Sequence, residues 1–65
     1  MDPALKRVRD EQARPAITAF EANYRASVHV WESRAMNIYV AYTRGDGATE
    51  YRAIIDYDGD VIQRI

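Results

Sequence analysis

The 65 residues contain no cysteine. That absence removes disulfide staples and thiolate metal sites, and it is compatible with a reducing compartment. Long apolar runs are missing too, and nothing approaches the roughly 20 apolar residues that a membrane span requires. The segment from Met1 to Arg14 has no apolar h-region, so neither a signal peptide nor a membrane contact is expected and the default is a cytoplasmic protein. Neither sign of charge dominates: nine Lys and Arg stand against ten Asp and Glu, a formal net charge of −1. Such a balance argues against a general nucleic-acid or anionic-membrane binder, and equally against an acidic mimic of DNA. With one histidine and no cysteine, no metal site or cofactor is expected. No Ser-His-Asp arrangement, paired carboxylates on adjacent strands or phosphate-cradling glycine loop can be assembled, so the chain is expected not to be an enzyme.

Sixty-five residues allow one domain, residues 1–65, with one small core. A chain of that length buries only about 60 % of the surface its unfolded form exposes, so a partner or second copy would add welcome burial. Glycine and proline are scarce, three and two residues, and each marks a place where the chain changes direction or strains a helix. Asp2-Pro3 is a helix start, with Asp as N-cap and Pro at the first helical position. Leu5, Val8, Ala16, Ala19 and Phe20 then fall on one side of a 3.6-residue period, with Ala13, Ile17 and Tyr24 on its flank. Pro15 interrupts the backbone bonding but leaves the phase of the stripe intact, which predicts one kinked helix over residues 3–26.

After Ser27 the period changes from 3.6 to 2. Alternation predicts strands over residues 28–32, 36–43, 48–56 and 61–65. Arg44-Gly45-Asp46-Gly47 forms one turn between them and Tyr57-Asp58-Gly59-Asp60 another, the Asp-Gly pair being a strong hairpin signal. The expected fold class is therefore α+β, a Pro-kinked N-terminal helix packed on a three- to four-stranded antiparallel meander. A consistent register sets Val30 against Ile38 and Val28 against Val40, then Val40 against Tyr51 and Ile38 against Ala53. At the last hairpin, a type I turn with Gly59 left-handed sets Ile55 against Val61 and Tyr51 against Ile65. The helix would cover that face through Phe20, Ile17 and Leu5.

The opposite face would then carry one row of Trp31, Asn37, Ile54 and Ile62, and a second of His29, Tyr39, Arg52 and Arg64. A solvated face should be polar, so an apolar centre of Trp31, Ile54 and Ile62 bordered by Tyr39, Arg52 and Arg64 is the candidate partner-binding surface. The alternative is that the strand over residues 28–32 has the opposite phase and buries Trp31. Other features are weaker. Asp56, Asp58 and Asp60 alternate as calcium-loop ligands do, but Gly59 is out of place and the turn itself uses carboxylates. Arg44-Gly45-Asp46 spells an adhesion tripeptide whose Gly and Asp the turn already explains. Lys6, Arg7, Arg9 and Arg14 make the helix locally basic, yet Asp2, Asp10 and Glu11 offset most of that charge.

The run from Tyr51 through Asp56, the turn at Gly59 and then Val61-Ile62 resembles the terminal hairpin of PepSY-type domains. The order of a helix followed by an antiparallel meander is similar to PepSY and, more loosely, to cystatin-like folds. The resemblance implies a non-catalytic module that contacts or inhibits another protein. The expected function is thus a protein-binding module, an inhibitor or adaptor occupying a surface of a larger bacterial or phage-related protein, and a homodimer through the same face is compatible. The other expectation is a weak nucleic-acid binder that uses Arg7, Arg9 and Arg14, with Tyr39 or Trp31 as stacking surfaces.

Overall fold

A computed structural model describes residues 3–65, so the N-cap expected at Asp2 lies outside the described residues. The first element, α1, runs from Pro3 to Tyr24 without a break at Pro15. Pro15 is exposed, as is Glu11 one turn earlier, so the carbonyl that loses its amide partner faces water. Helix and sheet meet through a single residue. Arg25 adopts φ 52°, a left-handed conformation that ends the helix, and its carbonyl accepts from the Gly45 amide at 2.8 Å. The helix thus ends two residues before the expected boundary.

Four strands follow: β1 (Ala26–Ser33), β2 (Ile38–Arg44), β3 (Tyr51–Ile55) and β4 (Val61–Arg64). They form one antiparallel sheet in sequential order, so the protein is α+β, a helix on a four-stranded meander. The helix runs antiparallel to β1. Glu21 accepts from the Val28 amide at 2.9 Å, and Asp10 accepts from the Ser33 hydroxyl. Between Asp10 and Glu21 the helix rises about 16 Å, which matches the roughly 16 Å that β1 covers from Val28 to Ser33. The core lies between these layers. Ala13, Ala16, Ile17 and Phe20 of α1 pack on Ala26, Ile38, Val40, Tyr42, Ala53 and Ile55. Small residues at 13 and 16 let the helix approach closely. Phe20 meets Tyr42 edge-on and Tyr24 tilted, both at 5.0 Å between ring centroids.

Leu5 and Val8 do not join this core. They are 54 % and 49 % exposed because the helix is longer than the sheet beneath it. A 22-residue helix extends about 33 Å, while strands of four to eight residues cannot reach that far. The expected contact of Leu5 with the sheet is therefore not made.

The turn after β3 has the geometry its sequence predicts. Gly59 has φ 89°, and Ile55 pairs with Val61. Asp56 Oδ1 accepts from the amides of Asp58 and Asp60, both at 2.9 Å. Gly59 also presses against the helix, where a Cβ would stand 2.8 Å from the Ala16 carbonyl oxygen and 3.0 Å from the Phe20 nitrogen. The β2–β3 connection is longer than expected. Pairing of Ile38 with Ile55, Val40 with Ala53 and Tyr42 with Tyr51 slides the register by two residues, and a shift of two keeps every side chain on its face. Residues 48–50 therefore belong to the loop, and Met36, expected in a strand opposite Ile55, is a loop residue 84 % exposed.

Asp10 ties the helix to the end of β1. Donation from Ser33, then from Lys6 at 3.1 Å, holds its carboxyl below the ordinary aspartate range. A depressed pKa stabilises the fold above the unfolded value, and that contribution disappears as pH falls through the folded one, below about pH 4 here. Ser33→Ala is expected to move the Asp10 titration midpoint upward, read by carboxyl NMR. An unchanged midpoint would show that this hydrogen bond does not set it.

Candidate docking face

Helix contacts define one side of the sheet, and no second helix or strand among the described residues covers the other. Ile38, Val40 and Tyr42 point toward the helix, so Tyr39, Ala41 and Thr43 point away. Pairing then assigns the neighbours. Glu32, Tyr39, Ile54 and Gln63 make one row of the open face, and Val30, Ala41 and Arg52 make the next. Ile65 extends that second row, since its amide donates to the Arg52 carbonyl at 3.0 Å.

Trp31 is not in either row. It pairs with Val40 and packs, half-buried, against the core on the helix side. The expected register, with Val30 against Ile38, is corrected to Ser33 against Ile38 and Val28 against Tyr42. The β1–β2 loop, residues 34–37, lies further along the chain than expected and moves the pairing by three at Ile38, and a β-bulge between Val28 and Val30 takes one of these back, so the shift at Val28 is two. Val28 and Trp31 are three apart and cannot share one face of a regular strand, but one extra residue at His29 resets the alternation and lets both face the helix. Val30 is the residue turned outward, 67 % exposed.

A second bulge rearranges β4. Ile55 pairs with Val61 but Ile54 pairs with Gln63, leaving Ile62 without a partner residue. Arg64 consequently pairs with Ala53 and so lies on the helix side, and the expected pairing of Tyr51 with Ile65 is not formed. Of the six residues expected to share a surface, Tyr39, Arg52 and Ile54 lie on the open face. Ile54 is only 8 % exposed there and cannot be its centre. Trp31 and Arg64 lie on the other side, and Ile62 is the exposed bulge residue. Val30, Ala41 and Ile65 were missed. Their only signal was that a strand with apolar residues in both phases has to leave one of them outside.

The open face is concave. A cleft of about 370 Å3 is lined by Val30, Tyr39, Ala41, Arg52 and Ile65 together with Glu32 and Glu50, and it also reaches Trp31, Val40 and Ala53 of the same strands. Each of these two acids stands beside a base. Glu32 lies 3.3 Å from Arg34, and Glu50 lies 3.6 Å from Arg52. The Arg34 guanidinium also stands over the Tyr39 ring, 4.9 Å from its centroid. Arg34 is held in place because its carbonyl accepts from the Tyr57 hydroxyl. His29 shares a hydrogen bond with the Thr43 hydroxyl at 3.1 Å.

Both edges of the sheet discourage strand addition. β1 is bulged and its Val28 amide is taken by Glu21; β4 has four residues and is also bulged. Short and bulged edge strands are poor templates for a further strand. The basic residues of α1 do not form one surface either. Arg9 lies about 160° around the helix from Arg7, beside a separate cleft between the start of α1 and the β1–β2 loop. Among the described residues, no group of three or more His, Asp or Glu could hold a metal ion, and Asp56 is engaged in its own turn. No helix among them is long and apolar enough to cross a membrane. No protein-family model, curated protein or solved structure matches the chain.

Proposed function

We propose that this chain is a small non-catalytic protein-binding module, an inhibitor or adaptor that works by laying its open sheet face against another protein. One observation carries this reading: a concave sheet face with exposed Val30, Ile65 and Tyr39 has no second layer over it among the described residues. A sheet bare on one side normally shows polar residues there, and an apolar centre with an aromatic and arginine border is the composition of a recognition surface. The resemblance of the terminal hairpin to PepSY-type domains points the same way. Docking through the face is preferred to strand addition because both edges are bulged.

Affinity capture with the full chain tests this. A protein retained by the wild type should be lost at least tenfold by the double variant Val30→Asp/Ile65→Asp, which changes only exposed side chains and should keep its circular dichroism. Equal retention by both would place binding elsewhere. Retention of nucleic acid instead, released above about 0.2 M salt, would favour a nucleic-acid binder.

A further inference from the structure

The open face complements itself. Its middle row runs Val30, Ala41, Arg52, Ile65 across the four strands, so a small side chain is set between large ones. Ala41 is part of the lining of the 370 Å3 cleft, while Val30 and Ile65, 67 % and 71 % exposed, rise at its two ends. A surface that carries both a hollow and ridges can receive its own copy, as a two-fold interface requires. The rim has the same property. Each acid stands beside a base, Glu32 with Arg34 and Glu50 with Arg52, so the border has no net charge. Rotation about a two-fold axis can set each arginine against a carboxylate of the other copy. A partner of a single charge sign would leave half of this rim against like charge.

The rest of the fold points to the same occupant. Phe20, Ile38 and Ile55 are the largest fully buried side chains, all in a core on one side of the sheet, and a second copy would give the other side a core as well. Edge-to-edge assembly is discouraged on both sides by the bulges of β1 and β4, which leaves the face.

We infer that the open face is covered by a second copy of this chain, sheet against sheet, about a two-fold axis along the strands between Ala41 and Arg52. The inference rests on the docking-face reading and names its partner. The assembly has four layers, helix, sheet, sheet and helix, with the two sheets about 10 Å apart and their strands within about 30° of each other. Arg52 of each copy lies over the hollow at Ala41 of the other, Val30 of each meets Ile65 of the other, and Arg52 exchanges Glu50 for a carboxylate across the interface.

Sedimentation equilibrium of the full chain, from about 1 μM to about 1 mM, is the test. The mass should rise from 7.5 kDa to twice that value. Val30→Asp and, separately, Ile65→Asp should weaken association at least tenfold; both side chains are exposed, 67 % and 71 %, and can change without disturbing the fold. Asn23→Asp, exposed on α1 on the opposite side of the sheet, should leave association unchanged. Charge supplies a sharper readout. Arg52→Glu alone and Glu32→Arg/Glu50→Arg alone should each associate at least tenfold more weakly than wild type, and an equimolar mixture of the two should recover a mixed dimer. A single 7.5 kDa species throughout, a dimer indifferent to both aspartate variants, or a mixture that recovers nothing would each overturn the inference. A monomer whose captured protein is lost by Val30→Asp/Ile65→Asp would overturn the dimer but leave the docking reading standing. A monomer that captures nothing would overturn both.

Discussion

Gly59→Ala is expected to lower the thermal midpoint by about 12–24 °C, equivalent to roughly 3 kcal/mol. Two independent costs meet at this position. An alanine at φ 89° is strained by roughly 1–2 kcal/mol. Its methyl would also stand 2.8 Å from the Ala16 carbonyl oxygen and 3.0 Å from the Phe20 nitrogen. Those are helix backbone atoms, so the β3–β4 turn has to lift away from α1, at roughly 1–3 kcal/mol. Gly45 provides the control. Its φ of 51° is also left-handed, but nothing lies within 4 Å of a Cβ there, so Gly45→Ala should cost only about 1 kcal/mol. Urea denaturation of the two variants side by side measures the difference. Equal losses would mean that the turn does not bear on the helix.

Phe20→Ala should be more damaging, at about 4 kcal/mol. The ring is fully buried and touches both Tyr24 and Tyr42, so its removal leaves a cavity at the centre of the only core described. A domain of this length is expected to have about 3–10 kcal/mol in total, and the variant is expected to be largely unfolded at 37 °C. Phe20→Leu, which keeps most of the volume, should remain folded. Near-ultraviolet circular dichroism and denaturant midpoints distinguish the two. A folded, cooperative alanine variant would contradict the assignment of Phe20 as the keystone of the helix–sheet contact.

The helix, the four strands and the Gly59 turn were legible in the sequence because each is a local pattern with one physical reading. The β2–β3 pairing slid by two residues, but an even shift is silent with respect to face, so Ile38, Val40 and Ile55 were correctly placed under the helix. β1 was less tractable. Val28, Val30 and Trp31 are all apolar, and strict alternation must leave Trp31 outside if Val28 and Val30 go in. The folded chain inserts a bulge at His29 instead and buries the two residues that bring more surface to the core, Val28 and Trp31. Nothing local distinguishes that choice. It is decided by the helix lying over β1, through the Glu21 contact to Val28 and the Asp10 contact to Ser33.

The candidate surface moved for the same reason. An unexpectedly apolar outer face was predictable from the surplus of aliphatic residues in the strands, and Tyr39, Arg52 and Ile54 were placed on it. Its centre was not predictable, because Trp31 and Arg64 changed sides at two bulges that leave no mark on composition or spacing. Alternation shows which residues share a face only while the strand is regular. Edge strands, where bulges serve to block further pairing, are where it fails.

Isotope-filtered NOE spectroscopy on an equal mixture of 13C-labelled and unlabelled chains tests the pairing of two open faces most directly. The Ala41 methyl of labelled chains should show contacts to Arg52 protons of unlabelled ones and the Val30 methyls to Ile65 protons, while the Trp31 indole shows contacts only within its own chain. Intermolecular contacts from Trp31 with none from Ala41, or no intermolecular contacts at about 1 mM, would contradict the dimer.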